Sequence, residues 1–184
     1  WPPIVAAGTN TAIIHSMANT GPIQRGDSII LDIGAEVENY TADISRTVAA
    51  RPLTGRHKAV YQAARSIQHA ALNLLKPGDY RAYELQVVQH MGIELKRLGL
   101  ITNESDRDGI RQYYPTAASH FMGLDVHDVG NYREPLEPGM VLTCEPGIYI
   151  PEEGIGVRIE DDVLLTTGGN EVLSRGCKHD AFIA

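Results

Sequence analysis

Cysteine is almost absent from this chain: Cys144 and Cys177 are the only two in 184 residues. Two are too few to staple a disulfide scaffold, so a reduced, cytoplasmic setting is expected, with one bridge between them left open. Basic charge is also short, at 16 Lys and Arg against 23 Asp and Glu, a formal net charge of −7. With no basic run to neutralise phosphates, a nucleic-acid partner is not expected. Long apolar runs are missing too. Stretches such as Ile29 to Leu31 and Val163 to Leu165 fall far below the roughly 20 residues that span a bilayer, so no membrane role is expected. Nothing near Trp1 has the basic-then-apolar pattern of a signal peptide. The first residue is Trp and not Met, which reads as a fragment, a processed chain or the observed part of a longer one.

What is present suits one globular domain over residues 1–184, with 43% hydrophobic and 21% charged residues. Asp27 to Gly34 reads as a strand and Asn39 to Ala49 as its partner. Helical spacing takes over from Lys58 to Leu75, stopped by Lys76-Pro77-Gly78, and again from Tyr83 to Leu98, stopped by Gly99. Asn103 to Gly109 reads as a polar loop. Ala118 to Val126, Met140 to Ile150 and Gly156 to Thr166 read as strands. Strands, two helices, then strands predict an α+β fold with an antiparallel or mixed sheet.

The chemistry lies in paired carboxylates. A hairpin centred between Val37 and Glu38 sets Asp32 directly opposite Asp43, with Cβ atoms about 4.5–5.5 Å apart. Taken alone, that pair reads as a solvated face, and the loop lacks the Asn-Gly or Asp-Gly signature. A second hairpin with its tip at Glu152-Glu153 sets Glu145 opposite Glu160. Both pairs have apolar flanks, so both sit near a core, where unpaired carboxylates are costly and a metal is the usual remedy. His120 and His127 join them from a strand-like run beside Gly123 and Gly130, which permit close approach. Four carboxylates and one imidazole suit manganese, cobalt, iron or zinc over thiolate-preferring ions. That much negative charge calls for two divalent cations.

Five ordered motifs carry a family resemblance: Asp32-Ile-Gly, Ala42-Asp-Ile-Ser-Arg-Thr47, His120 and His127 around Gly-Leu-Asp-Val-His-Asp-Val-Gly, Glu145-Pro-Gly, and Arg158-Ile-Glu-Asp-Asp162. From about Gly8 to Leu173 the chain resembles the pita-bread metallopeptidases, most of all Xaa-Pro aminopeptidase (aminopeptidase P) and prolidase. The resemblance implies a curved, mainly antiparallel sheet covered by helices, with the first helices of the domain and an upstream domain lying outside this sequence. It implies metal ligands Asp32, Asp43, His120, Glu145 and Glu160, with Asp43 and Glu160 bridging two ions, manganese first among them. His15 matches a substrate-side histidine, His127 one near the scissile bond, and Arg158 an arginine that positions substrate and carboxylates. No organic cofactor is implied, and the full-length form is expected as a homodimer or homotetramer. One position departs from the pattern: Thr116 stands where relatives carry a histidine four residues before the ligand His120.

The expected reaction is hydrolysis of an N-terminal Xaa-Pro bond by water activated between two ions, with Glu145 carrying the proton and His127 donating to substrate. Prolidase, methionine aminopeptidase and a non-catalytic binding module on the same fold are the alternatives. A cysteine nucleophile is rejected, because Cys144 precedes Glu145 and strand alternation turns it into packing. His57, His69, His90 and His179 read as solvated or half-buried.

Overall fold

The computed structural model describes residues 2–49 and 51–178, so the expectation for His179 lies outside the described residues. The first layer opens with a strand the pattern did not predict, Ile4–Ala7 (β1). It pairs antiparallel with Ser28–Ile33 (β2). The first hairpin continues through Glu36–Val37 (β3) and Tyr40–Thr41 (β4) and returns as Ile44–Ala49 (β5), giving the order β1-β2-β5. Its tip is Glu38-Asn39, both left-handed with φ of 52° and 65°. Such a turn matches the twist of the flanking strands, and asparagine tolerates the region well. The tip therefore lies one residue later than predicted. Asp32 faces Ser45, and Asp43 is its diagonal neighbour on the same face.

Gly55–Leu74 (α1) and Tyr80–Arg97 (α2) form the expected helical pair. Asp79 caps α2 by accepting from the amides of Arg81 and Ala82. The expected loop after it contains the start of a short helix, Arg107–Tyr113 (α3), capped by Asp106 through the Gly109 amide.

The second hairpin is built from Val141–Cys144 (β6), Gly147–Ile150 (β7), Ile155–Arg158 (β8) and Asp161–Thr166 (β9), with Gly169–Val172 (β10) added at the edge. One register runs through it: Gly147 faces Arg158 and Cys144 faces Asp161. The two predicted long strands are each interrupted, at Glu145-Pro146 and at Ile159-Glu160. Proline has no N–H to give the ladder, which accounts for the first break. The tip turns through Pro151–Glu153 and closes on left-handed Gly154, where predicted. Ala118 to Val126 is not a strand. It runs beside β6 through one bridge, Phe121 to Leu142, until the Gly123 amide donates to Asp125 and turns the chain.

Alternation along this hairpin separates two jobs. Cys144, Ile148, Ile150, Val157 and Ile159 join the main core against Val60, Ile67, Val87, Met91 and Leu95 of the helices. Burying a side chain of that size contributes about 1.5–3 kcal/mol. Glu145, Arg158 and Glu160 point to the other side, toward the first hairpin. The helical layer thus backs the hairpin on the side opposite its carboxylate face. No described helix is long and apolar enough to cross a membrane.

Candidate metal centre

Asp32, Asp43, His120, Glu145 and Glu160 line one cavity of about 390 Å³, together with His15, His127 and Arg158. All eight predicted site residues meet there. Ligand-type atoms cluster within 4.8 Å of one another in three overlapping groups: Asp43, His120 and His127; His120, Glu145 and Glu160; Asp32, Asp43 and Glu160. His120 Nε2 stands 3.6 Å from Asp43 Oδ2 and 3.4 Å from Glu145 Oε1. Asp32, Asp43 and Glu160 are buried.

The strand interruptions explain how these side chains are presented. At each break the backbone is satisfied from outside the ladder. The Asp43 amide donates to Asp162 at 3.2 Å, the Glu160 amide to the Ser45 carbonyl at 3.0 Å, and the Glu145 amide to the Ala118 carbonyl at 2.8 Å. The last contact ties Glu145 to the segment carrying His120, whose own amide donates to Thr143 Oγ1 at 3.1 Å. The ring of His120 meets that of His127 edge-on at 4.4 Å.

One buried cation serves this face. Arg158 is 3% exposed. It donates to Asp32 Oδ2, to Ser45 Oγ at 2.8 Å and to the Tyr149 hydroxyl at 2.7 Å. A single guanidinium does not balance four carboxylates. Asp32 Oδ1 and Asp43 Oδ1 are buried and have no hydrogen-bond partner among the described residues. Orphaned buried carboxylate oxygens are expensive, and a divalent ion satisfies them directly. The donor set, hard oxygens plus one imidazole, fits such ions.

The titration behaviour reflects this crowding. Burial pushes Asp32 up to about 6, against the pull of Arg158. It likewise raises Glu145 to about 7 and drives Glu160 well above the carboxylate range. Asp162 rises to about 7, again chiefly through burial. Burial disfavours the charged His120, but its hydrogen bond to Asp43 and the Glu145 carboxylate outweigh it and raise the imidazole. His15 and His127 are both lowered, by burial first and then by Arg158 and His120 respectively.

A stability prediction follows for the cation-free chain. Unfolded carboxyls titrate near pH 4, roughly, whereas Asp32 titrates at about 6 and Glu145 and Asp162 at about 7 when folded. The folded state then holds more protons across that window, so stability is greatest at its acid end and is lost as pH rises toward 7. Urea midpoints measured in chelator should fall with rising pH over this range, and a divalent cation should flatten the trend. A midpoint that climbs through the window would contradict the assignment.

Four contributors escaped the sequence reading: Ser45, Thr143, Tyr149 and Asp162. Ser45 was findable, since it follows Asp43 by two residues and shares its face. Tyr149 was findable too, from its even spacing with Glu145. Thr116, with Ala117, Tyr80 and Tyr132, lines a second cavity of about 480 Å³ that shares His15, His120, His127 and Glu145 with the first. Cys144 is buried and its thiol is raised by burial, which fits packing and not nucleophilic attack.

Residues 1–167 match the profile of metallopeptidase family M24. Xaa-Pro aminopeptidase 3 from Rattus norvegicus is 40% identical over 196 residues, covering 96% of this chain and 38% of the relative. Xaa-Pro aminopeptidase from Escherichia coli is 37% identical, covering 93% and 43%. Among solved structures, proline aminopeptidase P II from Yersinia pestis superimposes with a TM-score of 0.90 at 35% identity, over 98% of this chain and 46% of that one. Zinc-substituted aminopeptidase P from Escherichia coli, in complex with product, gives 0.92 at 34% identity, over 98% and 45%. The pita-bread fold is therefore that of this chain. The chain spans less than half the length of these relatives.

Proposed function

Because the chain belongs to metallopeptidase family M24, we propose that it is the catalytic domain of an Xaa-Pro aminopeptidase, cutting the bond between an N-terminal residue and a following proline. One observation carries the reading. Five metal-type donors from two hairpins and a loop converge on one cavity, where two buried carboxylate oxygens have no hydrogen-bond partner among the described residues.

Asp32, Asp43, His120, Glu145 and Glu160 would hold two divalent ions, manganese in first place. Bound there, such ions supply an acidified water able to attack a carbonyl at neutral pH. The chain's own groups do the rest. Glu145, which lines the cavity beside His120, would take a proton from the nucleophile and give it to the departing proline nitrogen. His127, whose ring meets that of His120 edge-on, has an N–H to donate to the developing oxyanion. The substrate ammonium is drawn to the carboxylates around Asp32. His15 closes the substrate side, and Arg158 holds Asp32 in place. Residues 1–184 make up an N-terminally truncated catalytic domain in this reading, part of a cytoplasmic protein with an upstream domain that assembles as a homodimer or homotetramer. The two cysteines, both free, support that setting.

The test is a peptide panel with the manganese-loaded chain: Ala-Pro-Ala, the dipeptide Ala-Pro, and Met-Ala-Ser. Cleavage of Ala-Pro-Ala, abolished by chelator, is expected. Preference for the dipeptide would favour prolidase, preference for Met-Ala-Ser methionine aminopeptidase, and cation binding without any cleavage a binding module.

A further inference from the structure

Glu160 sits where the second hairpin has no ladder, between β8 and β9, so no strand partner fixes it. Something else must. Ser45, from β5 of the other hairpin, holds it at both ends: its carbonyl accepts the Glu160 amide at 3.0 Å, and its hydroxyl donates to Glu160 Oε2 at 2.7 Å. The direction of that second bond is fixed when Glu160 is ionised, the form that binds a cation. Arg158 Nε–H has only a donor to offer and lies 2.8 Å from Ser45 Oγ. The serine oxygen must accept there, which leaves its single proton for Glu160. Ser45 also faces Asp32 across the ladder and shares a face with Asp43. It is fully buried, at 0% exposure, so no water competes for these bonds.

We propose that Ser45 is a positioning residue that sets the Glu160 carboxylate for divalent-cation binding, by relaying the fixed geometry of Arg158 across the gap between the two hairpins. It touches neither substrate nor cation. Arg158 grips one oxygen of Asp32 directly, whereas its Nε stands 3.9 Å from Glu160 Oε2, an ion pair too long for a hydrogen bond, and the serine hydroxyl spans that gap. The same guanidinium thereby locks a carboxylate from each hairpin while leaving each a second oxygen. A hydroxyl is needed for the relay, because the group must accept from a guanidinium and donate to a carboxylate at once. Alanine can do neither. Threonine can do both, and its β-branch is welcome in a strand.

The inference rests on the cation-site reading, and the experiment separates the two. Manganese is titrated calorimetrically into the full 184-residue chain, its Ser45→Ala variant and its Ser45→Thr variant, with circular dichroism on each. Outer-shell partners of metal ligands typically change affinity by about 10–100-fold, and Ser45→Ala should weaken manganese binding within that range while its spectrum stays that of the parent. Ser45→Thr should restore affinity to within a few-fold. If Ser45→Ala binds manganese as tightly as the parent, or if folded Ser45→Thr binds as weakly as Ser45→Ala, the relay is overturned. A parent chain that binds no manganese overturns the cation reading itself.

Discussion

Asp43→Ala is expected to abolish turnover and, in the same protein, to leave the cation-free fold as stable as the parent or more so. Asp43 belongs to two of the three groups of ligand-type atoms, one with His120 and His127 and one with Asp32 and Glu160. Removing it takes a donor from the middle of the cluster. At least one ion should be lost, and kcat/KM on an Xaa-Pro peptide should fall by about 10³-fold or more, the scale seen when a member of an interdependent catalytic set is deleted. The stability effect has the opposite sign for a simple reason. Asp43 Oδ1 is buried without a hydrogen-bond partner among the described residues, and the Asp43 charge helps push up Asp32, Glu145 and Glu160. Truncation removes that repulsion, whereas the backbone contact of residue 43 to Asp162 does not depend on the side chain. Metal counting, peptide assay and a urea midpoint in chelator decide the matter. Full activity with both ions retained would refute the ligand assignment.

Arg158→Met should act in the other direction on stability. The guanidinium is the cation that reaches Asp32, and it also serves Ser45, Tyr149 and the Ile14 carbonyl. Deleting one partner of a buried ion pair typically costs about 3–5 kcal/mol, because the other charge stays behind unpaired. Here the stranded group is a carboxylate among carboxylates, so a loss in that range is expected in chelator. Part of it should return when a divalent cation is added, since the ion takes over the neutralisation. Arg158→Lys should not rescue, because a lone ammonium cannot reach Asp32, Ser45 and Tyr149 together. A loss below about 1 kcal/mol, judged against that same range, would mean that Arg158 is not what balances this face.

The legibility of the site had a definite physical limit. Pairing Glu145 with Glu160 needed only the turn signal at Pro151 to Gly154 and a count outward, and the register follows that count from Ile150–Ile155 to Cys144–Asp161. The first hairpin was harder, because its tip, left-handed Glu38-Asn39, carries no Asn-Gly or Asp-Gly signal. The count therefore began one residue early, and Asp32 was set against Asp43 in place of Ser45. The shared face survived the error, since shifting both arms keeps the parity of a period-two strand. Periodicity could not show the strand interruptions. They arise where another element offers the backbone a partner outside the ladder, as the Asp162 side chain does for Asp43 and the Ser45 carbonyl for Glu160, and tertiary contacts of that kind leave no local pattern. For the same reason the run Ala118 to Val126 looked like a strand: its composition is β-like, while its path is set by the turn at Gly123. The capped α3 was visible in principle as Asp106 with Gly109, and was obscured by its polar composition.

The claim beneath all of this is that the paired carboxylates and His120 exist to hold divalent ions. Its most direct test is anomalous diffraction from crystals of this chain soaked in manganese. Two peaks are expected inside the cavity, about 3.5–4 Å apart, each within bonding reach of ligands drawn from Asp32, Asp43, His120, Glu145 and Glu160. A soaked crystal whose cavity shows no anomalous density, or whose manganese sits on other residues, would contradict it.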